Sequence, residues 1–362
     1  MTLRRGAGPS GVDVPSLQDV AALAGVSSAT ASRVLSGSLH PVAARTRQKV
    51  LDATKALDFE PNMLARGLAR NRTQTVAVLV HDIMDEYFSE IARGVEDEAY
   101  SHGYVALICN TDRDADKELY YLRKLRAMQI DAILFAAGGL RDRTHRRDVN
   151  RQLAQIEAAG GVIVRLAPHP GGKPDVGYSN RRGLALAVDH LVGLGHRNIG
   201  FLAGSPRITT SVERLTAMRL ALASHGIELL DATIFDGDFS RAGGEQAAAK
   251  FVEADCAATA VVSANDQAAI GFVRGLRFRH VVVPDEVSVV GFDDIAPCAY
   301  VEPPLTTVHV PLYELGVQGM RLTFDLLAGK DRPKPHEFPL ELTIRATTAP
   351  PPLHQRVQGG TP

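Results

Sequence analysis

The sequence predicts two architectures on one chain: a small all-α, three-helix head, then a larger α/β core built on parallel sheets. Three observations predict this. Residues 16–57 carry apolar side chains at helical spacing, interrupted by turn residues. From 75 to 350, β-branched apolar runs alternate with helix-length segments, the pattern of parallel strands covered on both faces. Charge is also divided: residues 1–75 hold ten Lys+Arg against five Asp+Glu, and the rest of the chain 30 against 36. The net charge of −1 therefore hides a basic head on an acidic body, the footprint of a nucleic-acid binder.

The head begins with Ser16 and Asp19, spaced as a capping box that satisfies the first amides of a helix. Leu17, Val20, Ala21 and Ala24 make its apolar stripe, and Gly25 supplies a turn where positive φ costs least. Ser27 caps a second helix whose Ala31, Val34 and Leu35 face back toward the first. Ser28, Ala29, Ser32 and Arg33 are left on the outer face, small and polar except for one long cation. A compact helix pair presenting such a face has the geometry of a helix-turn-helix in the major groove, although an ordinary helical hairpin has the same pattern. A third helix is expected over Ala43–Leu57, with Val50, Leu51, Thr54 and Leu57 inward and Arg45, Arg47 and Lys49 near its start. After Pro61 comes a short basic amphipathic segment, NMLARGLARNRTQT.

Residues 16–72 resemble the DNA-binding head of the lac repressor (LacI/GalR) family of bacterial transcription regulators. DVAALAGVSSATASRVLSG, TRQKV and PNMLARGL carry the resemblance, in the family's order. It implies that Ser28 and Ala29 stand at base-reading positions and Arg33 further along the recognition helix, where arginine can pair bidentately with guanine. Thr30, Ser32 and Asn62 would hold phosphates and set register. The segment matching Asn62–Arg70 would fold as a hinge helix in the minor groove, with Ala65 permitting close approach and Leu68 wedging into a base step. One departure is Ala43–Ala44, where the family often has a capping serine.

In the body, strands are expected at Thr75–His81, Tyr104–Asn110, Asp131–Ala137, Gly161–Leu166, Asp175–Ser179, Asn198–Gly204, Ala260–Ala264 and Val287–Phe292. GLGHRNIGFLAG, SANDQAAIGF, VSVVGFDD and PPLTTVHVP resemble stretches of the same family's effector-binding core, whose fold is that of periplasmic sugar-binding proteins. The resemblance implies two lobes joined by three crossings, placed near 175–178, 305–309 and 336–339. The expected organisation is a tail over 1–15, the helix-turn-helix domain over 16–60, hinge and linker over 61–74, the core over 75–350 and a tail over 351–362. Within the core, the first lobe takes about 75–176 and 308–336, and the second about 177–306 and 337–348.

Ligands of parallel α/β sheets sit beyond the carboxyl ends of strands. Asp82, Asn110, Asn265 and Asp293 lie at such ends, although Asn265 would also serve as a helix cap and either Asp293 or Asp294 as a helix-start carboxylate. The resemblance adds Arg214, Tyr87, Phe88 and Phe239 as effector-binding positions, with Ala217 where the family commonly has glycine. Arg165, in an otherwise apolar strand, is either a pocket cation or a strand-end residue.

Catalysis finds no support. Cys109, Cys256 and Cys298 are far apart and without metal or redox spacing, consistent with reduced thiols in the cytoplasm. No nucleophile elbow, phosphate loop, dinucleotide fingerprint or zinc motif occurs, so neither cofactor nor metal is expected. His196, in LGHRN, reads as structural. The first fifteen residues have charge without an apolar core, unlike a signal peptide, and no run approaches the ~18 apolar residues of a membrane helix. The expectation is a cytoplasmic, homodimeric repressor that reads a pseudo-palindromic operator and answers a sugar- or nucleoside-like effector. The alternative, a solute-binding protein of the same core fold, has no use for the basic head. The Pro/Gly-rich end lacks a leucine heptad, which favours a dimer over a tetramer.

Overall fold

The computed structural model describes residues 15–35, 40–59, 72–169 and 172–352. Asn62, Ala65 and Leu68 of the expected hinge, and most of both expected tails, lie outside the described residues. Pro351, assigned to the second tail, is instead buried beside Gly195. The chain divides into two compact units, Met1–Gln74 and Thr75–Pro362.

The first unit holds α1 (Leu17–Ala24), α2 (Ser28–Leu35) and α3 (Ala44–Ala56). Ser16 and Asp19 form the reciprocal capping box: the Asp19 amide donates to Ser16 Oγ (3.3 Å) and the Ser16 amide to Asp19 Oδ2 (2.7 Å). Gly25, at φ 65°, ends α1. Ser27 Oγ accepts from the Thr30 amide (3.2 Å) and starts α2. α3 starts at Ala43 without a side-chain cap, as Ala43–Ala44 implies. Val20, Ala21, Ala24, Ala31, Val34, Val50 and Ala53 form a small core. Leu51, expected inside, is 44% exposed. Positions 50, 53, 54 and 57 share one helical face, whereas 51 lies about 100° round from 50, so Ala53 takes the buried place.

The second unit contains two main sheets. The first has the order β2-β1-β3-β4, all parallel, from β1 (Thr75–Val80), β2 (Val105–Asn110), β3 (Ala132–Phe135) and β4 (Val162–Arg165). The helix Leu312–Leu327 returns to this lobe and packs on Glu86–Ser101. Their backbones approach closely because Gly94 faces the Tyr313 carbonyl and Gly316 the Ile91 carbonyl, leaving no room for a Cβ.

The second sheet comprises β6 (Ile199–Ala203), β7 (Ile234–Asp236), β8 (Ala260–Ser263), β9 (Ser288–Asp293), β10 (Thr306–His309) and β12 (Glu341–Thr343). Its order is β12-β10-β9-β8-β6-β7, parallel except for β12. β5 (Val176–Tyr178) and β11 (His336–Phe338) pair in parallel as a separate ribbon where the chain passes between lobes. All eight expected runs are strands; β7 was not among them. β10 pairs with β9 through His309↔Asp293, so the chain leaves the second sheet at the end of the expected 305–309 crossing, and Thr307–His309 belong with the second lobe. His196 is structural: its ring bonds the Thr259 hydroxyl and the Ala349 carbonyl, both at 2.8 Å, fastening the C-terminal segment to this sheet.

Candidate nucleic-acid face and ligand cleft

On α2 the sequence separates two faces. Ala31 and Val34 are buried, while Ser28, Ala29, Ser32 and Arg33 are exposed together, with Arg33 in the last turn. Thr30 is half-buried, and its hydroxyl bonds that of Ser27 at 2.9 Å. The outer face is therefore shallow, with a single long cation, and its local geometry is fixed from the cap inward.

In the second unit, all six expected effector residues line one cavity between the lobes: Tyr87, Phe88, Arg214, Phe239, Asn265 and Asp293. At its centre Arg214, 2% exposed, donates from Nη2 to Asp293 Oδ1 and to the Tyr178 hydroxyl, each at 3.0 Å. Its Nε donates to Asn180 Oδ1 at 3.0 Å, its Nη1 to the Ala264 carbonyl, and its guanidinium lies 3.9 Å from the Phe292 ring centroid. Burial opposes the Arg214 charge, but Asp293, with Tyr178 and Tyr87, holds its pKa above the usual value. Burial pushes the Asp293 carboxyl up against the pull of Arg214. Ala217, at the position where the family commonly has glycine, is buried on the same helix, Thr209–Ala223.

Asn265 has both roles open to it: Oδ1 caps the helix Asp266–Phe278 through the Ala268 amide (3.2 Å), and Nδ2 donates to the Phe239 carbonyl (2.9 Å). Asp294 does not start a helix; Arg345 (2.7 Å) and His309 (3.1 Å) pair with it. Asp82 and Asn110 lie outside the cavity lining and brace the loop after β1 by accepting the Met84 and Ile83 amides. Arg165 stays at its strand end, away from this cavity, with Asp175 accepting its amide.

Sequence reasoning missed His81, Asp85 and Arg113 in the lining. Burial, with Arg113 nearby, lowers the His81 pKa to about 3, and its neutral ring bonds Thr111 and the Gly138 carbonyl. Burial raises Asp85 to about 6, despite the Tyr87 amide it accepts. Arg113 stands over Phe239 at 6.0 Å. Arg113 (φ 58°), Phe239 (φ 70°) and Asp293 (φ 119°) all have left-handed backbones, a concentration of strain typical of ligand sites.

The lobes meet across this cavity. Glu86 accepts from Gln267 and from Arg241 (3.3 Å), and the Thr209 amide and hydroxyl both donate to the Gly139 carbonyl. The free space in the cleft is about 50 Å³, below the ~300 Å³ at which small-molecule pockets begin, so the lobes lie close together here.

Residues 16–62 match the family described as bacterial regulatory proteins, lacI family, and residues 188–348 match a periplasmic binding protein-like domain. Catabolite control protein A of Priestia megaterium is 33% identical, over 84% of this chain and 90% of its own length. The chain belongs to the lacI family of bacterial regulatory proteins.

Another relative of this LacI-family protein is the HTH-type transcriptional repressor PurR of Mannheimia succiniciproducens, 32% identical over 91% of this chain and 97% of that one. A lac repressor dimer bound to operator and the anti-inducer ONPF superposes with a TM-score of 0.79 at 26% identity, covering 92% of this chain and 99% of that one. A complex of the transcriptional regulator CelR with cellobiose superposes at 0.67 and 29% identity, with the same coverage. The LacI-family protein is thus a DNA-binding regulator of transcription and not an enzyme, as are these relatives. No helix among its described residues is long and apolar enough to cross a membrane.

Proposed function

We propose that this regulator is a homodimeric repressor whose operator affinity is set allosterically by a sugar- or nucleoside-like effector in the cleft. The observation that carries the reading is the convergence of six residues, chosen from sequence, on one cavity around the Arg214–Asp293 pair. Tyr87, Phe88 and Phe239 offer ring faces, and the acid–guanidinium pair offers charge-assisted hydrogen bonds, a combination suited to a polyol or a base.

A dimer is supported by apolar side chains left at the surface. Met84, Tyr100, Val105 and Ile108 are exposed on the first lobe, and Phe278, Val282 and Tyr300 on the second. Two heads would read half-sites of a pseudo-palindrome, with Arg33 specifying a base while Ser28 and Ala29, being small, fit closely. Thr30, Ser32 and Asn62 would hold phosphates. Over the hinge, 61–74, Ala65 would admit close approach and Leu68 would wedge the central step. Opening and closing of the lobes would bias hinge pairing by the effector's differential affinity for the two states, typically ~1–3 kcal/mol. The cytoplasm, where operator DNA lies, is its place of work.

The test is selection of duplexes from a random pool by the full-length protein, then titration of the selected duplex across a panel of sugars and nucleosides. Two-fold symmetric sites and at least one compound that shifts operator affinity are expected. Asymmetric sites, or no shift from any compound, would overturn the reading.

A further inference from the structure

A second cavity, of about 910 Å³, is walled by the first lobe, the β5–β11 ribbon and the helix Thr209–Ala223, and none of its described lining residues lines the ligand cleft. Its volume lies within the ~300–1,000 Å³ of small-molecule sites. Arg146, Lys173 and Arg181 stand exposed around it, with no carboxylate at ion-pair distance among the described residues. Two carboxylates also line it, Glu213 and Glu337. Burial pushes Glu213 up, toward its neutral form, and its Oε2 is bonded by the Asn180 amide at 3.0 Å.

The lining also contains His169, 7% exposed. Its ring stacks on Phe135 at 3.8 Å, and its Nε2 lies 2.7 Å from Glu118 Oε1. Burial opposes the Glu118 charge, but His145 and His169 hold that carboxyl at about 2, so it is a pure acceptor and Nε2 is the donor. Nδ1 is then the ring's uncommitted polar atom, and it is buried without a hydrogen-bond partner.

We propose that this cavity is a second ligand site, taking a small polyvalent anion that bears phosphate or carboxylate groups, with Arg146, Lys173 and Arg181 pairing its charges. Arginine suits such groups through its planar fork. The site is wired to the cleft. Tyr178 and Asn180 line the second cavity and are also two of the groups that hold Arg214, so an anion here acts on the far side of the cleft's central cation.

The test is calorimetric titration of the full-length protein with pyrophosphate at constant ionic strength. The wild type, R146A/R181A and, as a control for lost charge elsewhere on the surface, K124A/R126A are compared. The basic head is common to all three and cancels. Saturable binding in the wild type and the control, weakened about tenfold or more in R146A/R181A, is expected. Equal affinity in all three, equal loss in both variants, or no saturable binding up to ~10 mM would overturn the site.

Discussion

Arg33 is the one long side chain among the exposed recognition-face residues Ser28, Ala29, Ser32 and Arg33, which concentrates direct readout on a single position. Arg33→Ala should relax specificity at one base pair by about 1–3 kcal/mol, read by comparing operator variants; equal loss on every sequence would make it a phosphate contact instead. Asp293 is bound more tightly into structure than its sequence position suggests. Asp293→Asn leaves the buried Arg214 facing a neutral amide, and breaking such a pair costs up to ~3–5 kcal/mol. The variant should melt earlier and lose its effector response while still binding operator, checked by thermal melts beside operator titrations. Asp85 gives the pH dependence. Its folded pKa, raised to about 6 by burial, means that the native state keeps a proton which the unfolded chain releases lower down. Its contribution therefore favours folding at low pH and is lost as pH rises toward 6. Asp85→Asn should gain in melting temperature over the wild type above pH 6, with the gap closing toward pH 4. His81, lowered to about 3, acts with the opposite sign and is common to both proteins. The strand-end rule found Asn265 and Asp293 but chose Asp82 and Asn110 over their cleft-lining neighbours His81 and Arg113. The rule locates the turn; only the loop's backbone decides which of its residues faces inward.

At the scale of elements, most of the fold was legible because caps, turns and apolar runs are local signals. Ser16, Asp19 and Gly25 marked α1, and every apolar run became a strand. Illegible features were those set by partners distant in sequence: β12, whose partner is β10, and the pairing of β5 with β11. Leu51 was misplaced by one position on a helix whose pattern is diluted by charge. The tightest inter-helix seam was also invisible in sequence. Gly94 and Gly316 each face a carbonyl of the other helix, so Gly94→Ala must part Glu86–Ser101 from Leu312–Leu327. Overpacking of this kind costs about 1–3 kcal/mol, measurable by urea unfolding. Wild-type stability in that variant would show that the seam can yield.

For the whole molecule, the proposed dimer can be tested at the apolar side chains left exposed on the second lobe. Phe278 is 66% exposed and Tyr300 87%, at the end of one helix and just beyond a 3-10 turn of the second lobe. Phe278→Asp puts a charge where association would have to desolvate it. The variant should elute as a monomer in size-exclusion chromatography with light scattering, and bind operator weakly because paired half-sites reward only a dimer. A dimer of unchanged stability would move the interface elsewhere.

The narrow cleft has a further consequence, in time rather than in affinity. About 50 Å³ admits no metabolite, so a guest must wait for the Glu86 contacts with Gln267 and Arg241 to part. Capture is then governed by how often the lobes open, a first-order clock belonging to the protein. The same contacts that gate entry also stand in the way of release, so they would slow association and dissociation together.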